Sequence, residues 1–336
     1  MKILLTSVGR RSYLVKYFKN VLGEKGEIHV ANSTSMSPAF TYADYSVVTP
    51  LIYDKEYINF LKLYCVKNEI NAIISLFDID LFVLARHKQD FLDLCVKIIV
   101  SEPQVIEICN DKWKTYNFLK KSGFYTPKTF LNVEESLDYI DKKIIQYPLI
   151  LKPRWGMGSI AIYEAENENE LRLFYEKIGR QIKGTYLKYE SNYTIGNNVI
   201  IQEKLNGQEY GMDVINNLEG IYQTSIVKKK FTMRAGETDC AMVVREDNLE
   251  KCGEKLSKLL RHIGNLDVDI FYDGKKIYIL EMNARFGGGY PFSHAAGIDL
   301  PRAIVAWLDN RKCKKEWLSV EKQVIAHKDI QITKLL

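Results

Sequence analysis

The sequence predicts an α/β chain: a small doubly wound domain with a parallel sheet, followed by two α+β lobes. Three observations carry this reading. Short apolar runs alternate with helix-period segments through the first hundred residues, the order that βαβ units produce. From residue 199 onward the strands lengthen and are joined by hairpin signals, Asn216-Asn217 and Asp273-Gly274. The 336 residues suffice for two or three domains.

Each element follows from a local pattern. Residues 3–8 are an apolar strand, and residues 12–21 put Leu14, Val15, Phe18 and Val21 on one helical face. Residues 28–31 form a second strand, and residues 54–68 repeat Ile58, Leu61 and Cys65 at helical spacing. Strands at 72–76 and 96–100 flank a helix at 81–94. A short helix at 103–109 leads to Asn110-Asp111, which caps a helix running to Ser122, where Gly123 stops it. A strand near 128–131, a helix near 134–143 and a strand at 149–152 come next. After a glycine loop, a strand at 160–163 precedes a helix at 168–178. The antiparallel strands are 199–203, 210–216, 220–228 and 241–245; a helix at 249–262 then precedes a hairpin of 266–272 and 276–282. These divide the chain into residues 1–105, 106–182 and 183–336.

Composition narrows the function classes. Hydrophobic residues are 46% and charged residues 26%, which excludes disordered, collagen-like and membrane proteins. Apolar runs such as 147–151 and 199–201 fall far short of the ~18–20 residues that cross a bilayer. The apolar stretch after Met1-Lys2 is too short for a signal peptide, so a cytoplasmic location without a membrane partner is expected. A net charge of +5 gives no nucleic-acid footprint, and the basic run at 311–315 reads as a solvated surface. The six cysteines (65, 95, 109, 240, 252, 313) read as reduced thiols, and the five histidines lack metal-ligand spacing.

Three constellations carry chemistry. In the first, a strand ends in Lys152 and runs through Pro153-Arg154-Trp155 into Gly156-Met157-Gly158-Ser159. Glycines let backbone N–H groups close on phosphate oxygens beside a fixed lysine, though the same residues suit an ordinary hairpin loop. In the second, an apolar strand enters Glu203-Lys204-Leu205-Asn206-Gly207-Gln208-Glu209. Such a hinge can read an adenine edge with its backbone while Glu209 accepts ribose hydroxyls, or be a polar connection. In the third, Asp267-Val268-Asp269 precedes the hairpin and Glu281-Met282-Asn283-Ala284-Arg285-Phe286-Gly287-Gly288-Gly289 follows it. Glu281 and Asn283 share a strand face and offer hard oxygens to Mg²⁺. Asp269 joins that face only if the hairpin loop has an odd residue count or a strand carries one bulge, and the same parity leaves Asp267 as a competing ligand.

In this order the motifs resemble the ATP-grasp superfamily, and within it the carboxylate–amine ligases similar to one ATP-binding half of the carbamoyl-phosphate synthase large subunit. The resemblance runs from the start to about residue 310. It implies a Rossmann-like pre-grasp domain, a small ATP lobe and a C-terminal ATP-grasp lobe with the metal site. By position, Lys112 and Lys152 resemble the phosphate-contacting basic residues, with Gly156, Gly158 and Ser159 in the mobile loop. Glu203, Lys204 and Leu205 resemble the adenine hinge and Glu209 the ribose acid. Asp269, Glu281 and Asn283 resemble the magnesium ligands, for two ions, with Mn²⁺ as a substitute. Arg285 resembles the arginine that faces the transferred phosphoryl group. Residues 233–238 align with a His-Thr-Gly-Asp-Ser-like loop of the synthases, which puts Arg234 at the phosphate end. The glycine loop departs from the family's longer glycine run. The chain shows one ATP unit and no amidotransferase segment, so carbamoyl phosphate synthesis itself is not expected.

The resemblance implies an ATP-dependent ligase joining a small-molecule carboxylate to an amine through an acyl-phosphate, with Lys152, Arg234 and Arg285 as its catalytic residues. A homodimer is implied by family analogy. A kinase releasing the phosphorylated acid or amide, or a non-catalytic ATP-binding module, is the alternative; a dinucleotide enzyme is disfavoured because G-x-G-x-x-G is missing after the first strand. Gly9-Arg10-Arg11-Ser12, between the first strand and its helix, reads as a substrate-anion site or a solvated loop. Asp78 or Asp80 faces the same crevice, or Asp78 caps the next helix; His294 lies by the acceptor pocket.

Overall fold

The structure, a computed structural model, describes residues 1–156, 158, 160–191, 196–320 and 323–335. The first part comprises β1 (Lys2–Thr6), α1 (Ser12–Leu22), β2 (Glu27–Asn32), β3 (Tyr45–Val48), α2 (Tyr57–Asn68), β4 (Ala72–Ser75), α3 (Asp78–Arg86), α4 (Lys88–Leu92) and β5 (Lys97–Ile99). Its sheet is parallel in the order β3-β2-β1-β4-β5. Strands buried on both faces read as continuous apolar runs: Ile3 and Leu5 enter one core and Leu4 the other. β3 escapes sequence reading because Tyr45, Ser46 and Val48 are exposed on this edge strand and carry no apolar pattern. The strand order reverses at β1, so the crevice outside the ends of β1 and β4 is where such sheets bind ligands. Asp80 closes the base of that crevice. It is fully buried and accepts hydrogen bonds from Thr6 Oγ1 (2.5 Å), Ser75 Oγ (2.7 Å) and Tyr57 OH (2.7 Å).

The second part holds α5 (Pro103–Asn110), α6 (Lys112–Lys121), β6 (Thr129–Phe130), α7 (Val133–Asp141), β7 (Leu149–Pro153), β8 (Tyr163–Ala165), α8 (Glu168–Lys183), α9 (Lys188–Ser191) and β9 (Val199–Glu203). Its antiparallel sheet runs β6-β9-β7-β8 over Leu171, Ile178 and Ile182 of α8. The sheet takes its β9 from beyond residue 182, because Ile201 pairs with Leu151 and both are buried in this lobe's core. The lobe therefore extends to Glu203, past the boundary expected from sequence. β8 starts three residues later than expected, since Gly158 and Ala161 hold positive φ (68° and 53°), which no strand accommodates.

The third part comprises β10 (Gln208–Asn216), β11 (Tyr222–Arg234), β12 (Glu237–Val244), α10 (Asp247–Leu260), β13 (Gly264–Tyr272), β14 (Ile277–Asn283), α11 (Tyr290–Ala295), α12 (Leu300–Leu308) and β15 (Ile325–His327). The antiparallel sheet runs β14-β13-β10-β11-β12-β15. One face packs Met212, Val214, Val268 and Ile270 under Leu249, Leu256 and Leu260 of α10. The opposite face carries the intervening residues of each strand and lines a cavity of about 410 Å³ shared by all three parts. No helix among the described residues is long and apolar enough to cross a membrane.

Candidate active site

The floor of the cavity is the polar face of the six-stranded sheet. Alternation along β10 turns Glu209, Gly211 and Asp213 toward it, and along β11 Lys228 and Lys230. Register then decides the rest. Tyr272 pairs with Ile277 across a four-residue turn, 273–276, which by parity alone would set Asp269 opposite Leu280. A β-bulge intervenes: Ile270 pairs with Ile279, but Asp269 pairs with Glu281 and Asp267 with Asn283. Leu280 is the inserted residue, and it lines the cavity too. The bulge, not an odd loop, brings Asp269, Glu281 and Asn283 to one face, and Asp267 stands beside them.

Charges on this floor neutralise one another in rows. Lys230 Nζ donates to Glu209 Oε1 (2.7 Å) and Asp269 Oδ1 (2.6 Å). Burial opposes its charge, but the two carboxylates outweigh burial and hold its pKa above the usual lysine range. Lys228 Nζ donates to Asp213 Oδ2 (2.5 Å), which also accepts from Ser293 Oγ. Gly211 sits between the two lysines, where a Cβ would meet Lys230 Cε at 3.3 Å and Lys228 Cε at 3.5 Å. Asp267 is pushed up to about 7 by burial and by the neighbouring Asp269, against the pull of Lys228 and Arg285.

The roof comes from the small lobe. Asp111 caps α6 by accepting from Trp113 N (3.0 Å) and grips Arg154 through two bonds of 2.7 and 2.6 Å. Lys112 N also donates to Arg154 O. The start of α6 and the end of β7 are thereby tied, which sets Lys112 and Lys152 on the same wall. Lys112 Nζ donates to Gly156 O (2.6 Å) and lies 3.7 Å from Glu281. Lys152 is buried, faces the cavity, and among the described residues has neither hydrogen bond nor ion pair. Burial, with Lys112 nearby, lowers its pKa to about 8, although Glu281 and Asp269 draw it back up. Gly156, at φ 112°, packs so closely on Leu187 that a Cβ would lie 2.7 Å from Cδ2. Gly158 also lines the cavity, whereas Ser159 falls outside the described residues.

Arg285 stands where the N-terminal domain meets the sheet. Its Nε donates to Asp78 Oδ2 (2.7 Å), and its guanidinium lies 3.7 Å from Asp267. Arg285 and Asp78 are both buried. Asp78 therefore serves Arg285 and makes no helix cap, contrary to the capping expectation. Asp80 does not face the crevice as a free acid, being sealed among hydroxyls beneath it. The three glycines after Arg285 have a steric reason. A Cβ would strike Asp267 Cγ at 2.1 Å from Gly287 and Glu237 Cδ at 2.9 Å from Gly288, and would lie 3.3 Å from Lys228 Nζ at Gly289.

Other expected residues fall elsewhere. Glu203, Lys204 and Leu205 do not line the cavity; Glu203 Oε1 accepts from Lys128 N (3.1 Å) and Lys204 pairs with Glu164 (2.7 Å). Arg234 is likewise outside the lining, half-exposed and paired with Asp239 (2.5 Å). His294 stacks on Tyr17 at 3.6 Å and donates from Nδ1 to the Ile298 carbonyl (3.0 Å), so it is a packing residue and not a cavity contact. Lys228, Lys230 and Asp213 were missed. The Lys228-Lys229-Lys230 run signals the two lysines, since alternate residues on one strand share a face, but a strand ending at Lys228 leaves Lys230 off it, and nothing local points to Asp213.

The donor set suits a divalent cation that shares its coordination. Asp269, Glu281 and Asn283 offer hard oxygens side by side, and lysine ammonium groups stand against both carboxylates. Among the described residues no three His, Cys, Asp or Glu side chains converge to enclose a metal by themselves. Hard oxygens of this kind are those that Mg²⁺ takes, one or two carboxylates together with substrate phosphates.

Comparison with known proteins agrees with this architecture. A family model described as "PylC-like, N-terminal domain" matches residues 3–99, and one described as "ATP-grasp domain" matches residues 109–289, just over half of the chain. The carbamoyl phosphate synthase large chain of Campylobacter jejuni is 26% identical over 230 residues, 64% of this chain and 20% of that protein. The chain thus spans about a fifth of the length of the first curated relatives it matches. Biotin carboxylase from Campylobacter jejuni, in a βγ-ATP complex, superposes with a TM-score of 0.75 at 16% identity, over 96% of this chain and 74% of that one. An L-amino acid ligase from Bacillus licheniformis gives a TM-score of 0.64 at 17% identity, over 91% and 74%.

Proposed function

We propose that this chain, which belongs to the ATP-grasp family, uses ATP to join a small-molecule carboxylate to an amine. The carboxylate oxygen attacks the γ-phosphorus, the bond to ADP breaks, and an acyl-phosphate forms. The amine nitrogen then attacks the acyl carbon, phosphate leaves, and the nitrogen loses a proton. The observation that carries the reading is the bulge at Leu280. It aligns two carboxylates and an amide with Arg285 on the floor, opposite a buried Lys152 that has no partner among the described residues.

Phosphoryl transfer of this kind needs positioning and charge neutralisation more than a covalent nucleophile. The reading assigns Lys112 and Lys152 to the phosphate oxygens and Glu209 to the ribose, and keeps adenine on the backbone of the Glu203-Lys204-Leu205 hinge just outside the cavity lining. Asp269, Glu281 and Asn283 would hold Mg²⁺, which when bound neutralises phosphate charge. Arg285, oriented by Asp78, faces the transferred phosphoryl group and stabilises charge that develops on it. Arg234 takes no part in this version, because Asp239 already engages it.

The test is ADP and phosphate release across paired acids and amines, with amide product followed by mass spectrometry. ADP that appears only when acid and amine are both present supports the ligase. ADP formed with the acid alone, in step with a released phosphorylated acid, supports a kinase instead. ATP binding without turnover on any pair would leave a binding module.

A further inference from the structure

The two ends of the cavity differ in how their charges are matched. At the nucleotide end, Lys112 and Lys230 stand against Glu281, Asp269 and Glu209. The other end lies between the turn following β1, the tip of the β11–β12 hairpin and the glycines after Arg285. There Lys228 is paired with Asp213, Arg285 with Asp78 and Asp267, and Glu237 with Lys328 (2.9 Å). Two cations remain. Arg10 and Arg11 both line the cavity, and among the described residues neither has a carboxylate within ion-pair distance. Arg10 is exposed on the wall and has no hydrogen bond among the described residues. Arg11 donates from one NH1 to Phe286 O at 2.5 Å, which fixes its guanidinium beside the segment that carries Arg285. Its field reaches Glu237, but Glu237 already holds Lys328 and is shared with Arg285.

Two unmatched guanidiniums on one cavity wall repel each other and are relieved by an anion that accepts from both. Guanidinium presents planar paired donors that suit carboxylate and phosphate oxygens. We propose that a substrate of this enzyme carries a second anionic group, a carboxylate or phosphate ester, away from its reacting group, and that Arg10 and Arg11 bind it. The inference rests on the ligase reading of the same cavity and names the class of substrate it takes. A neutral analogue of equal size leaves both guanidiniums unmatched and is rejected.

The test is calorimetric titration in saturating Mg²⁺ and ADP, with succinate, glycerol 3-phosphate and the neutral succinamide as probes. ADP is titrated first. If it does not bind, the nucleotide reading itself fails, and that result stands apart from the outcome for the anion. With ADP in place, succinate or glycerol 3-phosphate is expected to bind at least tenfold more tightly than succinamide. The stronger of the two identifies carboxylate or phosphate. Arg10→Ala with Arg11→Ala is expected to lose at least tenfold, and Arg10→Lys with Arg11→Lys to keep most of the affinity. Arg10→Ala alone, which leaves the Phe286 bond intact, is expected to lose several-fold, with thermal melting as the check on folding. Equal affinity for charged and neutral probes, or full affinity in the folded alanine variants, overturns the proposal.

Discussion

Titrating ADP in saturating Mg²⁺ from pH 7 to pH 10, in the wild type and in Lys152→Met, probes a buried ammonium that lacks a partner among the described residues. Burial brings Lys152 from its ordinary 10.5 down to about 8. A shift of that size corresponds to about 3 kcal/mol of preference for the neutral amine. Phosphate oxygens require the protonated form, so apparent affinity follows the protonated fraction. With a pKa of about 8, that fraction is near nine-tenths at pH 7 and about one-tenth at pH 9, and affinity should fall roughly tenfold between them. The sign for the free protein is opposite. Between about 8 and 10.5 the unfolded chain binds more protons at this site than the native one, so ligand-free stability gains from Lys152 as pH rises through that window. Lys152→Met should bind ADP weakly with no step near pH 8, and Lys152→Arg should also be flat while keeping more affinity. A wild-type profile flat from pH 7 to 9, or the same step in Lys152→Met, refutes the reasoning.

Four further outcomes follow from the geometry. Arg285→Ala should reduce turnover by ~10²-fold or more while ADP affinity changes little; unchanged turnover removes it from the chemistry. Asp78→Ala leaves that guanidinium buried without its close partner and should cost about 3–5 kcal/mol in denaturant unfolding, whereas Asp78→Asn should cost less and lower kcat more than KM. Deleting Leu280 removes the bulge but restores plain alternation, leaving Glu281 opposite Asp269 and Asn283 opposite Asp267; Mg²⁺-dependent ADP affinity should be largely kept, and a folded deletion variant that loses it contradicts the register argument. Gly287→Ala drives a methyl into the Asp267 carboxylate and should lower stability by about 1–3 kcal/mol; an unchanged melting temperature would show that the loop yields freely.

The hairpin shows how far reading the chain reaches. Parity of side chains along a strand required a bulge or an odd turn before Asp269 could join Glu281, and the bulge is there. Which remedy the chain uses depends on packing: Ile279 and Met282 must both reach the core, and only an extra residue between them allows it. The four-stranded lobe shows the opposite. Its β9 belongs with β7 because Ile201 meets Leu151, a contact across fifty residues that no local pattern announces.

What the sequence determined by itself was periodic or chemical in a short window: the βαβ alternation, the hairpin acids, the lysine before a glycine loop, the arginine before three glycines. Those signals act between near neighbours, so one strand carries them. Tertiary structure alone decided which charges meet. Asp78 is 207 residues from Arg285, Asp111 is 43 from Arg154, and Lys230 is 39 from Asp269. Ion pairs form by proximity in space, and each buried charge takes whichever partner the packing of three lobes brings within reach. That same packing leaves Lys152, Arg10 and Arg11 facing the cavity with no carboxylate partner among the described residues.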